Sequence, residues 1–155
     1  MTDDVLGYAM SDAEIASLLN SKGHGVLSLG HDDRGYGVPI SYGYDEADHR
    51  IVLEFVSVAE SKKRRFLEAT EEVTLTVYEW ESTDAWESVI VTGTIRPLED
   101  SDVSDRYAAL LFSQAEGIAG DLRWIDADEV DREWFEIVPE EITGLRGEKL
   151  PGEVP

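Results

Sequence analysis

Apolar and polar residues alternate through most of this chain with the two-residue period of β-strands, and only a few stretches switch to a helical period. SDAEIASLLNSKG (11–23) opens on a Ser-x-x-Glu capping box, Ser11 to Glu14. It carries Ile15, Leu18 and Leu19 at helical spacing and closes on Gly23, which predicts a short amphipathic helix. Strands are predicted at HGVLSLGH (24–31), at YGVPISYGYD (36–45) after a DDRG turn, and at IVLEFVSV (51–58). Pro39 inside the second of these argues for an edge, a bulge, or a place where a ligand replaces the neighbouring strand. EVTLTVYEW (72–80) and AWESVIVTGTIRPL (85–98) read as a hairpin joined by ESTD. A further helix is expected over 101–117, a loop or short helix over 121–131, and a last strand over 133–147, followed by a frayed tail.

Six or seven strands with hairpin-length connections, and two or three helices between them, do not make the βαβ alternation of a doubly wound sheet. The expected fold is mainly β with flanking helices, an antiparallel sheet closing into a small barrel. The chain reads as one domain, 1–148, with a C-terminal tail at 149–155.

Composition changes this picture in one direction. The 155 residues hold 34 acidic and 13 basic side chains, a formal charge of −21. The acids are spread along the chain and arginine outnumbers lysine nine to four, a pattern that resembles proteins of extreme halophiles. Such a surface repels phosphate backbones, so nucleic acid is not an expected partner. No stretch approaches the ~20 apolar residues of a membrane span, and a cytoplasmic location is the expectation. With no cysteine, thiol catalysis, disulfides and thiolate metal sites are excluded. His24, His31 and His49 show no metal-ligand spacing, and no metal site is expected.

Against this acidity, SKKRRFLEAT (61–70) gathers Lys62, Lys63, Arg64 and Arg65, four of the 13 cations. Ser57-x-x-Glu60 offers a capping box where the strand 51–56 ends, so a helix starting there has both lysines near its first turn. Backbone N–H groups already make that end positive, and each lysine is unfavourable by a few tenths of a kcal/mol unless an anion sits between them. Lys63 also shares a helical face with Phe66, Leu67 and Thr70, which places it on the stripe that meets the sheet. An inward lysine at a helix start after a strand is a phosphate-site signature. Arg64 can pair with Glu60 and Glu68, and Arg65 with Glu68, as ordinary surface pairs.

The order of these segments resembles the pyridoxamine 5′-phosphate oxidase-like flavoproteins, which have the FMN-binding split β-barrel. The resemblance covers residues 24–98: GVLSLGHDDRGYGVPISYGYD as the opening hairpin, IVLEFVS then SKKRRFLEATEEVTLTV as strand, phosphate turn, helix and strand, and WESVIVTGTI as the strand ending in glycine. It implies a homodimer with FMN in a groove between subunits. Ser61, Lys62 and Lys63 match the phosphate-binding positions. Val38, Pro39, Ile40 and Ser41 match the stretch lining the flavin ring, Phe55 and Ser57 the strand end beneath the ribityl chain, and Trp86 and Ser88 the next contacts. For Ser57 a helix cap, and for Trp86 a core or interface aromatic, stay open beside these roles.

The family's substrate-holding arginine and histidine have no counterpart here, and 121–131 is acidic. Oxidation of a pyridoxine phosphate is therefore not the expected reaction. The resemblance implies an FMN-dependent oxidoreductase of unassigned substrate. A deazaflavin-dependent reductase on the same fold, and a non-catalytic flavin-binding or stress-response module, remain as alternatives. No catalytic residue is identified; Tyr42 and Tyr44 are candidates for proton transfer only by their place on the strand. Trp124 and Trp134 either approach the flavin from the second subunit or serve packing.

Overall fold

The computed structural model describes residues 7–58, 61–98 and 130–152. In chain order these form β1 (Tyr8–Ala9), α1 (Asp12–Lys22), β2 (His24–His31), β3 (Arg34–Asp45), β4 (Arg50–Val58), α2 (Lys62–Ala69), β5 (Glu72–Ser82), β6 (Ala85–Leu98) and β7 (Val130–Arg146). The expected helix at 101–117, the segment 121–129 and Trp124 lie outside the described residues.

All pairings between the strands are antiparallel, in the order β1-β7-β4-β3-β2-β5-β6, and a further β6–β7 pairing closes the sheet into a barrel. Leu27, Ile40, Tyr42, Leu53, Leu75, Val89 and Ile137 fill its interior and are at most 7% exposed. The alternation that predicted strands thus also sorts inward from outward residues.

The helices stand at opposite ends. Helix α1 has the expected capping box, Ser11 Oγ accepting from Glu14 N–H and Glu14 accepting from Ser11 N–H, with Gly23 left-handed at φ 69°. It inserts Leu18 and Leu19 into the core, and the Tyr42 hydroxyl donates to Leu19 O at 2.7 Å. Helix α2 plugs the other end with Leu67, while Thr70 Oγ1 accepts from Gly30 N–H at 3.2 Å.

The barrel is not evenly sealed. β3 pairs with β2 along its whole length from Arg34 to Ser41, but with β4 only over Tyr42–Asp45. From residue 41 back to 34 it has one strand neighbour, and β4 diverges to run beside β7 up to Val58. This is the edge that Pro39 predicted. Tyr42 N–H donates to Gly23 O, which makes the even residues of β3 the hydrogen-bonding partners of β2. Pro39 falls between them, where the β2 ladder needs no donor, and its ring nitrogen faces the open side.

Two expectations are corrected. α2 is capped by Ser61, whose Oγ accepts from Arg64 N–H at 3.1 Å, and not by a Ser57–Glu60 box. Ser57 belongs to β4, in register with Asp131 of β7, so the strand outlasts the first capping signal. The segment after β7 does not begin as a frayed tail. Lys149 N–H donates to Asp84 O at 2.9 Å and Lys149 bridges to Ala85, which holds it on the β5–β6 turn.

Candidate functional site

The seam where β3 leaves β4 is where the scarce cations converge. Because Ser61 is the cap, Lys62 and Lys63 are the first two residues of α2, whose first turn contains no acid. The first helical bond runs from Arg65 N–H to Ser61 O, and Arg64 N–H is held by Ser61 Oγ. Helix geometry aims the N–H groups of residues 62 and 63 out of the helix end.

The two ammonium groups take opposite sides of the seam. Lys62 Nζ lies 5.3 Å from the centroid of Tyr36, on β3, and 5.9 Å from Phe66. Lys63 Nζ lies 5.4 Å from the centroid of Phe55, on β4. Tyr36 and Phe66 are themselves stacked at 5.4 Å, which ties α2 to the unpaired half of β3. Lys63 follows the inward stripe with half-buried Phe66 and buried Leu67 and Thr70, as its spacing predicted. Burial pushes its ammonium below the usual lysine range, because the charged form loses hydration.

Arg64 is committed elsewhere. Arg64 Nη2 lies 2.5 Å from Glu133 on β7 and its Nε 3.3 Å from Glu68. The Glu68 pair is the expected one; Glu133 is 69 residues away and carried no sequence signal. Arg65 is exposed.

Among the other residues singled out, Val38 is half-buried against the core and Ile40 is buried inward, with Pro39 exposed on the outer face. Ser41 also turns outward, and its Oγ is a buried side-chain oxygen with no hydrogen-bond partner among the described residues. A hydroxyl shielded from water in this way is unfavourable by roughly 1–3 kcal/mol until something bonds it. Phe55 is inward, with its ring edge against Phe135 at 5.4 Å.

Trp86 and Ser88 are not brought to the lysines. On β6 the end near α2 is marked by Thr94, opposite Glu72. Six to eight residues separate Ser88 and Trp86 from it, about 20–26 Å at ~3.3 Å per residue. Trp86 instead packs against its own chain: a Cβ built on Gly7 would stand 3.0 Å from its ring, and one on Gly147 2.9 Å from its Nε1. Trp134 lies on β7 in register with Glu54 and Leu98.

Tyr42 and Tyr44 are core residues, 0% and 4% exposed. Burial raises the pKa of both phenols, and the hydroxyl of Tyr42 is spent on α1. Both places suit a structural role in the core. Tyr36 and Phe66 were missed as site residues, though Tyr36 continues the inward series of Val38 and Ile40 and Phe66 shares the Lys63 face. No helix among the described residues is long and apolar enough to cross a membrane.

Comparison with known proteins places this arrangement. No curated protein matches the chain in sequence. Among solved structures it is similar to a FAD-binding protein from Mesorhizobium loti, 23% identical with a TM-score of 0.66 over 88% of this chain and 93% of the other. It is also similar to the FAD binding protein from Mycobacterium smegmatis, 22% identical with a TM-score of 0.62 over 90% and 98%. A third, the FAD and heme binding protein of the same organism, is 18% identical with a TM-score of 0.64 over 92% and 74%. At these identities the likenesses establish the fold, a split β-barrel. The family model described as Pyridoxamine 5'-phosphate oxidase matches residues 11–146, from the cap of α1 to the end of β7, and the chain belongs to that family.

Proposed function

We propose that the chain is an FMN-binding oxidoreductase whose flavin phosphate sits at the start of α2. The observation that carries this reading is the pair of lysines at the first two positions of α2, spread over the two lips of the β3–β4 seam. Their charges repel each other and the helix end, and a phosphate between them reverses both effects. The family membership and the likeness to FAD-binding proteins support a flavin as the ligand.

The residues present fit such a group. The phosphate meets the ammonium groups of Lys62 and Lys63 and the backbone N–H groups of the same turn. The ring system lies along residues 38–41, where β3 is paired with β2 alone and turns alternate backbone groups towards its open, β4 side. The orphaned Ser41 hydroxyl supplies one hydrogen bond to it. Bound flavin supplies two-electron redox chemistry; the chain binds it, orients it and keeps one face of the ring dry. Since Trp86 and Ser88 stand far from the lysines of their own chain, contacts from them require a second copy, as in a homodimer with the cofactor between subunits.

Absorbance spectra of protein purified in molar salt, before and after adding FMN, FAD or a deazaflavin, test the assignment. FMN is expected to bind with a shifted band near ~450 nm, and Lys63→Glu is expected to abolish binding. Equal affinity of the Lys63→Glu variant would remove the basis for the site.

A further inference from the structure

On the outer side of the barrel, towards the end that α1 occupies, a hollow of about 380 Å³ opens over β3, β2 and β5. Its lining includes Lys22, His24, Val26, Pro39, Tyr78 and Trp80. Tyr78 and Trp80 are 61 and 62% exposed and, two residues apart on β5, stand on the same side of the sheet. The register sets Val26 across from Pro39 and His24 across from Ser41, so the hollow borders the stretch of β3 that β4 leaves open.

His24 gives the hollow a defined polarity. Its Nδ1 lies 3.1 Å from Lys22 O. A carbonyl oxygen only accepts, so Nδ1 carries the hydrogen and the neutral ring presents a lone pair at Nε2. Nothing among the described residues bonds that Nε2; Ser41 Oγ, one strand away, is itself without a partner among them. Glu79, the acid in the lining, is answered by Lys22 Nζ at 3.3 Å, so the lining carries no net charge while His24 is neutral. In this chain that is a departure: with 34 acids in 155 residues, more than one position in five is acidic. Yet no outward position over 24–28 of β2, 37–41 of β3, 74–80 of β5 or 86–92 of β6 is Asp or Glu. The acid-free surface continues beyond the hollow through Ser88 to Ile90, 41% exposed.

We infer that the hollow binds a neutral, planar aromatic molecule bearing an O–H or N–H group, its ring against Tyr78 and Trp80 and its donor on His24 Nε2. The volume is that of a small-molecule site, and exposed aromatic faces favour a flat ring over a saturated one. An anion would approach against a net charge of −21. A cation would have to compete with Lys22 for Glu79. A lone pair with no protein donor selects a ligand that brings a hydrogen to it, because a ligand without one leaves that acceptor unmatched. The binding inference stands on the hollow alone. That the occupant is the substrate of the oxidoreductase rests on the flavin reading: Pro39 belongs both to the hollow and to the stretch assigned to the ring, so the two ligands would be neighbours.

Titration of 2-naphthol into the full, flavin-free, 15N-labelled chain tests the inference by 1H–15N NMR in molar KCl at about pH 8, where imidazoles are neutral. The control probe is 2-methoxynaphthalene, which keeps the fused rings and lacks the donor. Long-range 1H–15N spectra of the same samples read the histidine rings. His24 is expected as the Nδ1–H tautomer, with its Nε2 and the Trp80 indole N–H shifting on addition of 2-naphthol. The methoxy probe should bind about threefold to tenfold more weakly. His24→Phe, at an exposed position, should bring the two probes to equal affinity, and Tyr78→Ala should weaken both. An Nε2–H tautomer, no binding of 2-naphthol, equal affinities in the unaltered chain, or a difference that survives His24→Phe would overturn the inference. Naphthol bound by a chain that takes up no flavin would sink the proposed function and leave this site standing; flavin bound by a chain that ignores naphthol would do the reverse.

Discussion

Replacing Lys63 by methionine separates what the residue does for binding from what it does to the fold. In the flavin-free protein the side chain is a half-buried ammonium at the positive end of a helix, over the Phe55 ring. Removing a cation from a helix start relieves about 0.5 kcal/mol, and methionine keeps the alkyl contact. Burial also holds the Lys63 pKa below the 10.5 of a free lysine. The unfolded chain therefore keeps this proton to higher pH than the folded one, and stability gains as pH rises towards 10.5. Lys63→Met loses that alkaline gain.

Binding moves the other way. A charge-assisted hydrogen bond to phosphate is worth ~1.5–3 kcal/mol, so FMN affinity should fall about tenfold to hundredfold. For the unaltered protein, FMN at ~100 times its dissociation constant adds ~2.7 kcal/mol, roughly 5–10 °C in melting temperature for a domain of this size. Thermal melts in 2 M KCl, with and without FMN, read both effects in one experiment. The variant should melt slightly higher than the unaltered protein without flavin and gain less from adding it. A variant that binds FMN within twofold of the original would refute the placement of the phosphate, and one that is clearly destabilised without flavin would refute the electrostatic account of the helix start.

Three further outcomes follow from single contacts. Ser41→Ala removes an unpartnered buried oxygen, so chemical denaturation of the flavin-free protein should show no loss of stability, while FMN titration shows affinity reduced about fivefold to tenfold. Glu136 is 4% exposed and holds Arg96 Nε at 2.5 Å and Arg50 Nε at 3.8 Å. Glu136→Gln should reduce stability by about 1–3 kcal/mol, read by urea denaturation. Gly93→Ala would place a Cβ 2.2 Å from Val138 O at the β6–β7 irregularity; urea denaturation should show at least ~2 kcal/mol lost, or a shifted β6–β7 register in amide exchange.

How much of this could be read beforehand depended on whether a signal was local. The α1 helix carries its own start, stripe and stop, and the structure reproduces all three. Strands β2 and β6 coincide with the predicted 24–31 and 85–98, because hairpin turns and alternation fix both ends. The start of α2 was displaced, since Ser57 and Ser61 both offer a cap and only the pairing of β4 with β7 decides between them. Strand β1, two residues long, is held by Arg146 and Leu145 of β7 and has no pattern of its own to find. In the candidate site the Lys63 face followed from spacing. The Arg64–Glu133 pair did not, because a contact across 69 residues is a property of the closed barrel.

In a chain with acids nearly everywhere, function is marked where acid is withheld. A carboxylate at an exposed position keeps the surface hydrated and the molecules apart, so its absence over a whole region needs a reason of its own. Two such regions exist among the described residues. The first turn of α2 holds no acid although acids are favoured at helix starts, and it carries two lysines instead. The outer face around Ile90 holds neither acid nor cover. An anion at the first favours the lysines and the helix end together, and the strand order sets the two regions side by side. β3 has Lys62 against Tyr36 at one end of its open stretch and Pro39 in the outer face a few residues on. The open stretch of β3 thus joins the lysine seam to the exposed outer face through a few residues of backbone, so a change at Pro39 should be felt at the seam.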